Sequence, residues 1–288
     1  MSYTRFGLMI LTSTVVMFIL MYLNTYAWEH LFFSETRVYM AILMGASMAV
    51  IMLSYMLGMY PNRAVNVAIY IAALIVFAVS LWLVRSQVTV SGESYMRAMI
   101  PHHSIAVMTS ERAQIRDPRV RKLADEIIEA QRREIAEMRY LIGEVDKGDF
   151  VQTIHEDPPA RVGTVRDALN NTLISALDPA PLSEAQAEEA LEAAPRCRFN
   201  RSPESDPILW AAGERGPGVM QLNGVIIPLE AAAGGDADTS WRAEGLTTEL
   251  RPLGEEADWR SDSELIFALD QGLTVGYRGF WSCAAPAG

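Results

Sequence analysis

The sequence predicts a membrane protein in several parts: three transmembrane helices, an α-helical hairpin and a small all-β carboxy-terminal domain. Three observations predict this order. Uncharged stretches long enough to cross a membrane fill most of the first 90 residues. Apolar residues then recur at three- and four-residue spacing, and beyond residue 195 short strand-like segments separated by turns follow. We therefore divide the chain into a membrane anchor, a helical hairpin, a linker with short helices and a β domain, at residues 1–90, 91–145, 146–195 and 196–288.

The formal charge of −11 is distributed very unevenly along the 288 residues. Residues 1–100 carry a net +2, residues 101–145 are neutral, and residues 146–288 carry −13. An acidic surface without a basic cluster argues against a nucleic-acid partner. The partner that we expect instead is the membrane itself, as an integral part of the protein.

The membrane anchor is predicted from three stretches without a charged residue, 6–23, 38–60 and 64–84, which contain 18, 23 and 21 residues. About 20 apolar residues are needed to cross the hydrocarbon core. Arg5 precedes the first stretch and Arg63 lies in the turn between the second and third, and positive charge in short loops favours the cytoplasmic side. We therefore expect a bacterial inner-membrane protein with a cytoplasmic amino terminus and a periplasmic chain after residue 85.

The two cysteines support an exterior location. Cys197 and Cys283 are the only cysteines, and both lie in the carboxy-terminal half. A disulfide between them would persist in an oxidising compartment such as the periplasm, whereas the alternative is two unrelated buried thiols. We predict the disulfide, with Cys197 ahead of the first strand of the β domain and Cys283 after the last one.

Two helices are predicted in the hairpin, over residues 93–116 and 119–145. Asp117-Pro118 between them is typical of an N-cap followed by proline at the first helical position. Apolar residues of the second helix recur on one face while the opposite face carries Arg, Lys and Glu, which favours an antiparallel pair with one apolar seam. Pro101 lies inside the first helix, where it either kinks the helix or marks its true start.

The chemistry of the hairpin is concentrated around Pro101. Met96, Met99 and His103 share one helix face, and His102 lies three residues from Met99 on its other flank. Imidazole nitrogen together with thioether sulfur suits Cu(I). The alternative is a histidine pair that caps free carbonyl groups and methionines that only pack. The candidate metal ligands are Met96, Met99, His102, His103, Met108 and Met138.

The order of these residues, Met96-x-x-Met99-x-Pro101-His102-His103 and then Gln131-x-x-Glu134-Ile135-x-x-Met138, closely resembles the domain-of-unknown-function 305 family over about residues 91–145. The resemblance implies a ferritin-like, extracytoplasmic helical fold that binds copper or silver through Met and His and is linked to copper tolerance. It implies Met99, His102, His103, Met108 and Met138 as the ligands. This chain has a single hairpin where many members have more motifs, so a second protomer could supply ligands that are missing.

The rest of the chain carries weaker patterns. Short helices are predicted over 165–177 and 183–192, and Asn223-Gly224 predicts a type I′ hairpin turn. The predicted strands are 219–222, 225–229, 246–250, 265–269 and 273–280. No histidine lies in 196–288, so a Ser-His-Asp set is absent there, and we expect no enzyme; most of its four tryptophans are expected in the core. Residues 196–288 resemble no family that we identify.

Two functions remain after these exclusions. The first is a membrane-anchored periplasmic protein that binds a copper ion, Cu(I) above all, for storage, handover or tolerance. The alternative is a non-catalytic accessory or scaffold subunit of a membrane protein complex. A metal oxidase is a weaker third, because di-iron sites need Glu-x-x-His pairs and residues 91–145 contain none.

Overall fold

The computed structural model describes the chain except for residues 1, 149, 157, 160–162, 165–169, 174–175, 233–238, 273 and 285–288. It divides into two compact units, residues 1–124 and 125–288, and each is described by itself. The predicted helix over 165–177 falls largely on residues that lie outside the described part.

The first unit is helical. Its long helices are α1 (Tyr3–Leu20), α2 (Glu35–Tyr55), α3 (Arg63–Ser86) and α4 (Gly92–Arg112). The first three are long and apolar enough to cross a membrane, which confirms the three predicted spans in length and composition. They begin three, three and one residues before the predicted uncharged stretches, because the start of each helix is set by a capping side chain rather than by the last charge. The Asn62 carboxamide, for example, accepts hydrogen bonds from the backbone N–H groups of Ala64 and Val65.

The three spans pack through small residues and one aromatic cluster. Gly45 of α2 lies against the Thr14 side chain of α1, where any Cβ would collide. Phe6, Leu53 and Tyr60 are buried together at one end of the bundle. The hydroxyl of Tyr3 donates to the carbonyl oxygen of Asn62 and to the Asn66 carboxamide, so the beginnings of α1 and α3 lie side by side.

Helix α4 continues through Pro101, which is buried, and so the proline does not mark the start of the helix. The helix begins nine residues earlier at Gly92 behind a Ser91–Ser94 capping box and ends at Arg112, short of the predicted Arg116. The next helix, α5, runs over Pro118–Asp146. Its predicted cap is confirmed, because the Asp117 carboxylate accepts a hydrogen bond from the backbone N–H of Arg119 at 2.8 Å. The boundary between the two units falls within α5, after Ala124.

Among its described residues, the second unit contains the rest of α5, a short helix α6 (Glu184–Leu191) and nine strands. The strands are β1 (Pro179–Ala180), β2 (Cys197–Asn200), β3 (Leu209–Ala211), β4 (Gly218–Leu222), β5 (Val225–Ala232), β6 (Thr239–Ala243), β7 (Leu246–Pro252), β8 (Ser263–Leu269) and β9 (Thr274–Cys283). Eight of them close into an antiparallel barrel in the order β4-β3-β2-β9-β8-β7-β6-β5, since β5 pairs back with β4. Strand β1 extends the β4 edge. The all-β prediction for the carboxy-terminal domain is consistent with this barrel.

The predicted hairpin turn at Asn223-Gly224 is confirmed and joins β4 to β5. Asn223 and Gly224 both have positive φ, 47° and 77°, as a type I′ turn between β4 and β5 requires. The predicted helix 183–192 is present as α6, capped by Ser183 and Gln186. Three short barrel strands, β2, β3 and β6, were not predicted.

The disulfide between Cys197 and Cys283 is present. Its predicted position relative to the strands was wrong, because Cys197 is the first residue of β2 and Cys283 is the last residue of β9. The two cysteines are directly opposite each other in the β2–β9 ladder, with Cα atoms 4.0 Å apart. The bridge therefore fastens a seam of the barrel as well as the two ends of the domain.

The barrel interior is filled with large side chains, and among them Phe199, Trp241, Phe267 and Tyr277 are fully buried. Trp210 is also buried and Trp281 packs against this core, as predicted for most of the tryptophans, whereas Trp259 is 53% exposed. Ala136 of α5 belongs to the same cluster, so α5 packs on the barrel wall.

Candidate metal centre

The predicted ligands of α4, from Met96 to Met108, lie along a little more than three turns of one helix. Met99, His102 and His103 fall within a single turn, Met96 lies a turn before Met99, and Met108 lies beyond His103. Met96 is buried, Met99, His103 and Met108 are half-buried, and His102 is exposed. The helix thus presents one exposed imidazole at the surface next to partly covered sulfur atoms.

One hydrogen bond orients the His103 ring. Its Nδ1 lies 3.0 Å from the backbone carbonyl oxygen of Met99, four residues earlier. A carbonyl oxygen can only accept, so Nδ1 carries the proton and donates, and the lone pair of the ring lies on Nε2. In metal-binding histidines, the ring nitrogen that does not contact the metal commonly donates such a hydrogen bond, which fixes the tautomer and the orientation of the ring. The rings of His102 and His103 pack edge to face with centroids 5.9 Å apart.

Met138 and the other five candidate ligands belong to different compact units. Met138 lies half-buried on α5 within the second unit, whereas the α4 residues belong to the first. The structure therefore brings Met99, His102 and His103 together on one turn, and it leaves Met138 as a candidate on a different unit.

A buried polar cluster beside α4 was missed by sequence reasoning. Ser104, directly after the histidine pair, is fully buried, and its hydroxyl oxygen accepts a hydrogen bond of 2.8 Å from the backbone N–H of Tyr26. Nδ1 of His30, a ring that is only 2% exposed, lies 2.9 Å from the same oxygen. Glu29 is buried next to it in sequence. The signal that could have found this cluster is topological, because a cytoplasmic amino terminus followed by three spans puts the loop between the first two spans on the same side of the membrane as the chain after residue 85.

Aromatic and charged contacts also link α4 to the loop between α1 and α2. The guanidinium of Arg112 lies over the Tyr26 ring at 5.7 Å, and that of Arg97 lies over Phe32 at 6.0 Å. Arg97 also pairs with Glu93 one turn earlier on α4. The helix that carries the Met/His motif is therefore docked onto the loop between α1 and α2 rather than free of the membrane anchor.

The donor chemistry decides which metals the site suits. Within the described part of the chain, no group of three or more His, Cys, Asp or Glu side chains is placed to hold a metal ion. A zinc or iron site would draw on such groups, whereas the set on α4 combines imidazole with thioether donors. Imidazole nitrogen and thioether sulfur are donor types that suit Cu(I), and Met99, His102 and His103 carry them on one turn of α4.

Comparisons with known proteins match two families. The model of DUF305, a domain of unknown function, matches residues 87–191, which include α4 and α5. The model of DUF6692, also a domain of unknown function, matches residues 143–286, half of the chain, and covers the barrel. An uncharacterized protein of Acanthamoeba polyphaga mimivirus is 29% identical over 143 residues, which are 47% of this chain and 92% of that protein. No solved structure matches the chain.

Proposed function

We infer the function from one premise: the chain belongs to the DUF6692 family and carries a DUF305 match ahead of its barrel. We propose that it is a membrane-anchored, non-catalytic copper-binding protein, which holds Cu(I) on α4 for storage, handover or tolerance. Met99, His102 and His103 form the centre of the proposed site, with Met96 and Met108 beside them on α4 and Met138 as a further candidate on α5.

The observation that carries the proposal is the fixed tautomer of His103. Because Nδ1 donates to the Met99 carbonyl oxygen, the acceptor nitrogen of the neutral His103 ring is Nε2, and this ring lies on the same turn as a second imidazole and a thioether. A histidine pair that merely capped carbonyl groups freed by Pro101 would need no methionine within that turn. The combination of soft and imidazole donors on one helix turn, with His102 exposed, supports Cu(I) binding over a purely structural role.

We propose further that α4 and the barrel lie on the periplasmic side of a bacterial inner membrane, with the amino terminus in the cytoplasm. The disulfide supports this placement, since structural disulfides persist in oxidising compartments. The basic residues Arg5 and Arg63 at the other end of the spans support it by the positive-inside rule. A reporter enzyme that is active only outside the cytoplasm, fused after residue 90, should be active, and activity of a cytoplasm-only reporter at the same position would reverse the assignment.

Titration of the full-length protein in mild detergent with Cu(I), against a chromophoric chelator, tests copper binding. The His102→Ala/His103→Ala double variant should bind Cu(I) at least about ten-fold more weakly than wild type. His155→Ala is the matched control, because His155 lies in the linker and should leave the affinity unchanged. Equal weak binding by wild type and double variant would rule the proposed site out.

The second candidate function is an accessory or scaffold subunit of a membrane complex. The observation that favours it is the barrel interior, which is filled by Phe199, Trp241 and Phe267 at 0% exposure, so that the outer wall is the part of the barrel suited to contacts. Purification in mild detergent separates the two functions. A stable complex with other subunits, and no copper, supports the scaffold, whereas a metal-loaded protein alone or as a homo-oligomer supports the copper site.

A further inference from the structure

Methionine is distributed unevenly among the three membrane helices. Two methionines lie in α1 and four in α2, whereas α3 contains none among its 24 residues. The large apolar side chains on the exposed face of α1 are leucine, isoleucine and valine, and both methionines of α1 are half-buried. If methionine served only as one more apolar residue, we would expect it on α3 and on the exposed face of α1 as well.

One contact shows which sides of α1 and α2 face each other. Gly45 of α2 lies against the Thr14 side chain of α1, so these two residues mark the facing sides at one level of the bundle. Met17 lies within about 60° of the direction of Thr14, since successive residues of a helix are about 100° apart. On α2 the methionines within about 60° of the direction of Gly45 are Met48, Met52 and Met56.

A second contact brings methionines of both helices together. Met9 of α1 packs against the buried cluster that includes Phe6 and Leu53, and so do Met52 and Met56 of α2. Met52 and Met56 are one helical turn apart, which places their Cβ atoms about 6 Å from each other. The methionine side chain is unbranched and flexible, so the sulfur atoms of such a pair can turn towards one shared ion.

We name the row between α1 and α2 the methionine seam, and all its members are half-buried: Met9, Met17, Met44, Met48, Met52 and Met56. The two helices run antiparallel, because Phe6 shares a cluster with Leu53 while Thr14 lies against Gly45. At a rise of about 1.5 Å per residue, neighbouring members differ in height by at most about 6 Å. With Met21 added at one end, the row extends over about 27 Å of a hydrocarbon core of about 30 Å.

The methionine seam connects the two ends of the membrane anchor. At one end the carbonyl oxygen of Met21 accepts a hydrogen bond of 2.7 Å from the guanidinium of Arg37. The loop that follows holds α4, since the N–H of Tyr26 donates to Ser104. At the other end Met56 is the C-cap of α2, before the turn to α3. The seam therefore leads from the end on which α4 docks to the opposite end.

We propose that Cu(I) passes through the membrane anchor along the methionine seam, from one thioether to the next. The inference rests on the proposed function for the membrane and for α4 as the source of the ion. Each step exchanges one thioether ligand for another, so the ion stays monovalent and no electron or proton is transferred. Several weak sites in a row suit passage, because an ion must bind firmly enough to enter and loosely enough to leave. Copper that is retained stays on α4, where imidazole donors join the thioethers.

Proteoliposomes of the full-length protein test this passage. The vesicles contain a membrane-impermeant chromophoric Cu(I) chelator, buffered Cu(I) is added outside without oxygen, and the absorbance measures entry. Wild type should admit Cu(I) faster than vesicles without protein. Met9→Leu/Met48→Leu/Met52→Leu leaves about 18 Å between Met44 and Met56 without a thioether, so entry should fall to the rate of protein-free vesicles.

The matched control is Met40→Leu, the same substitution in α2 at an exposed position outside the seam, and it should equal wild type. Leucine has nearly the volume of methionine, so none of these substitutions should unfold the bundle. Met17→Leu/Met44→Leu opens a different gap of about 15 Å, between Met21 and Met48, and should also abolish passage. It decides the question even if the triple variant does not fold.

A wild type no faster than protein-free vesicles, or leucine variants as fast as wild type, overturns the proposal. A titration in detergent keeps this result apart from the copper site, because the triple variant leaves α4 unchanged and should bind Cu(I) as tightly as wild type. Equal binding by wild type and His102→Ala/His103→Ala would reject the site on α4, whereas the vesicle measurement alone decides passage along the seam.

Discussion

Nδ1 of His30 lies 2.9 Å from the hydroxyl oxygen of Ser104, and both side chains are buried. These residues are 74 positions apart, one in the loop between the first two membrane helices and the other directly after the histidine pair of α4. The same hydroxyl oxygen accepts the backbone N–H of Tyr26. The contact therefore holds the helix with the Met/His motif against the end of the membrane anchor.

Removing this hydroxyl should loosen the loop. In Ser104→Ala the N–H of Tyr26 and the ring of His30 lose a buried partner, which typically costs about 1–3 kcal/mol. Amide hydrogen exchange should therefore accelerate at Tyr26 and its neighbours, while Ser110→Ala, at a half-buried serine of the same helix, should leave it unchanged. Protection at Tyr26 that is equal in both variants would contradict the anchoring role of Ser104.

The disulfide should account for much of the stability of the barrel. Closing a loop of 86 residues is worth about 4.6 kcal/mol in the chain-entropy model. Cys197→Ser/Cys283→Ser should lower the midpoint of thermal unfolding of the barrel by several degrees, followed by the circular dichroism of aromatic groups. Ser282→Ala, at an exposed neighbour in β9, is the control. A double variant as stable as wild type would show that the β2–β9 seam holds without the bridge.

A buried arginine joins α5 to the barrel. The Arg201 side chain is fully buried, pairs with Glu129 of α5 and lies over the Tyr277 ring at 5.9 Å. Glu129→Ala leaves this charge without its carboxylate, and because Glu129 is 39% exposed we expect a loss of only about 1–3 kcal/mol. Denaturant unfolding should show this loss, and Glu129→Leu/Arg201→Met should recover most of it. A double variant less stable than Glu129→Ala would argue against the unpaired charge as the cause.

The stability of the barrel unit should depend on the ionisation of Glu137. Burial, and after it the nearby Asp178 carboxylate, raises the pKa of Glu137 above its ordinary value. A raised folded-state pKa means that the stability is fully present below the unfolded pKa and is lost as the pH rises through the folded one. Glu137→Gln should therefore raise the thermal midpoint near neutral pH and leave it unchanged below the ordinary glutamate pKa of about 4.3. An equal gain at both pH values would show that charge is not the cause.

The features that the sequence predicted are those set by local patterns. Membrane spans follow from uncharged stretches, the start of α5 from Asp117-Pro118, and the β4–β5 turn from Asn223-Gly224. The disulfide was predicted from the number and position of two cysteines. These signals act within a few residues or depend on composition, so they do not require knowledge of the fold.

The features that the sequence did not predict depend on long-range contacts. Strands β2, β3 and β6 have only four, three and five residues, and they are defined by partners elsewhere in the barrel. The burial of Arg201 depends on the way α5 covers the barrel, and the contact between His30 and Ser104 joins distant segments. An isolated residue such as His30 belongs to no periodic pattern, so the sequence does not predict its contact with α4. The sequence therefore predicted a pair of helices at the site and not a helix docked on the loop between α1 and α2.

Metal analysis of the intact protein, purified from membranes of cells grown with copper, tests the central claim most directly. The account predicts that copper co-purifies with wild type and with His155→Ala, and that it falls to background in His102→Ala/His103→Ala. Copper at background in wild type, or equal copper in wild type and the double variant, would contradict a copper site at Met99, His102 and His103.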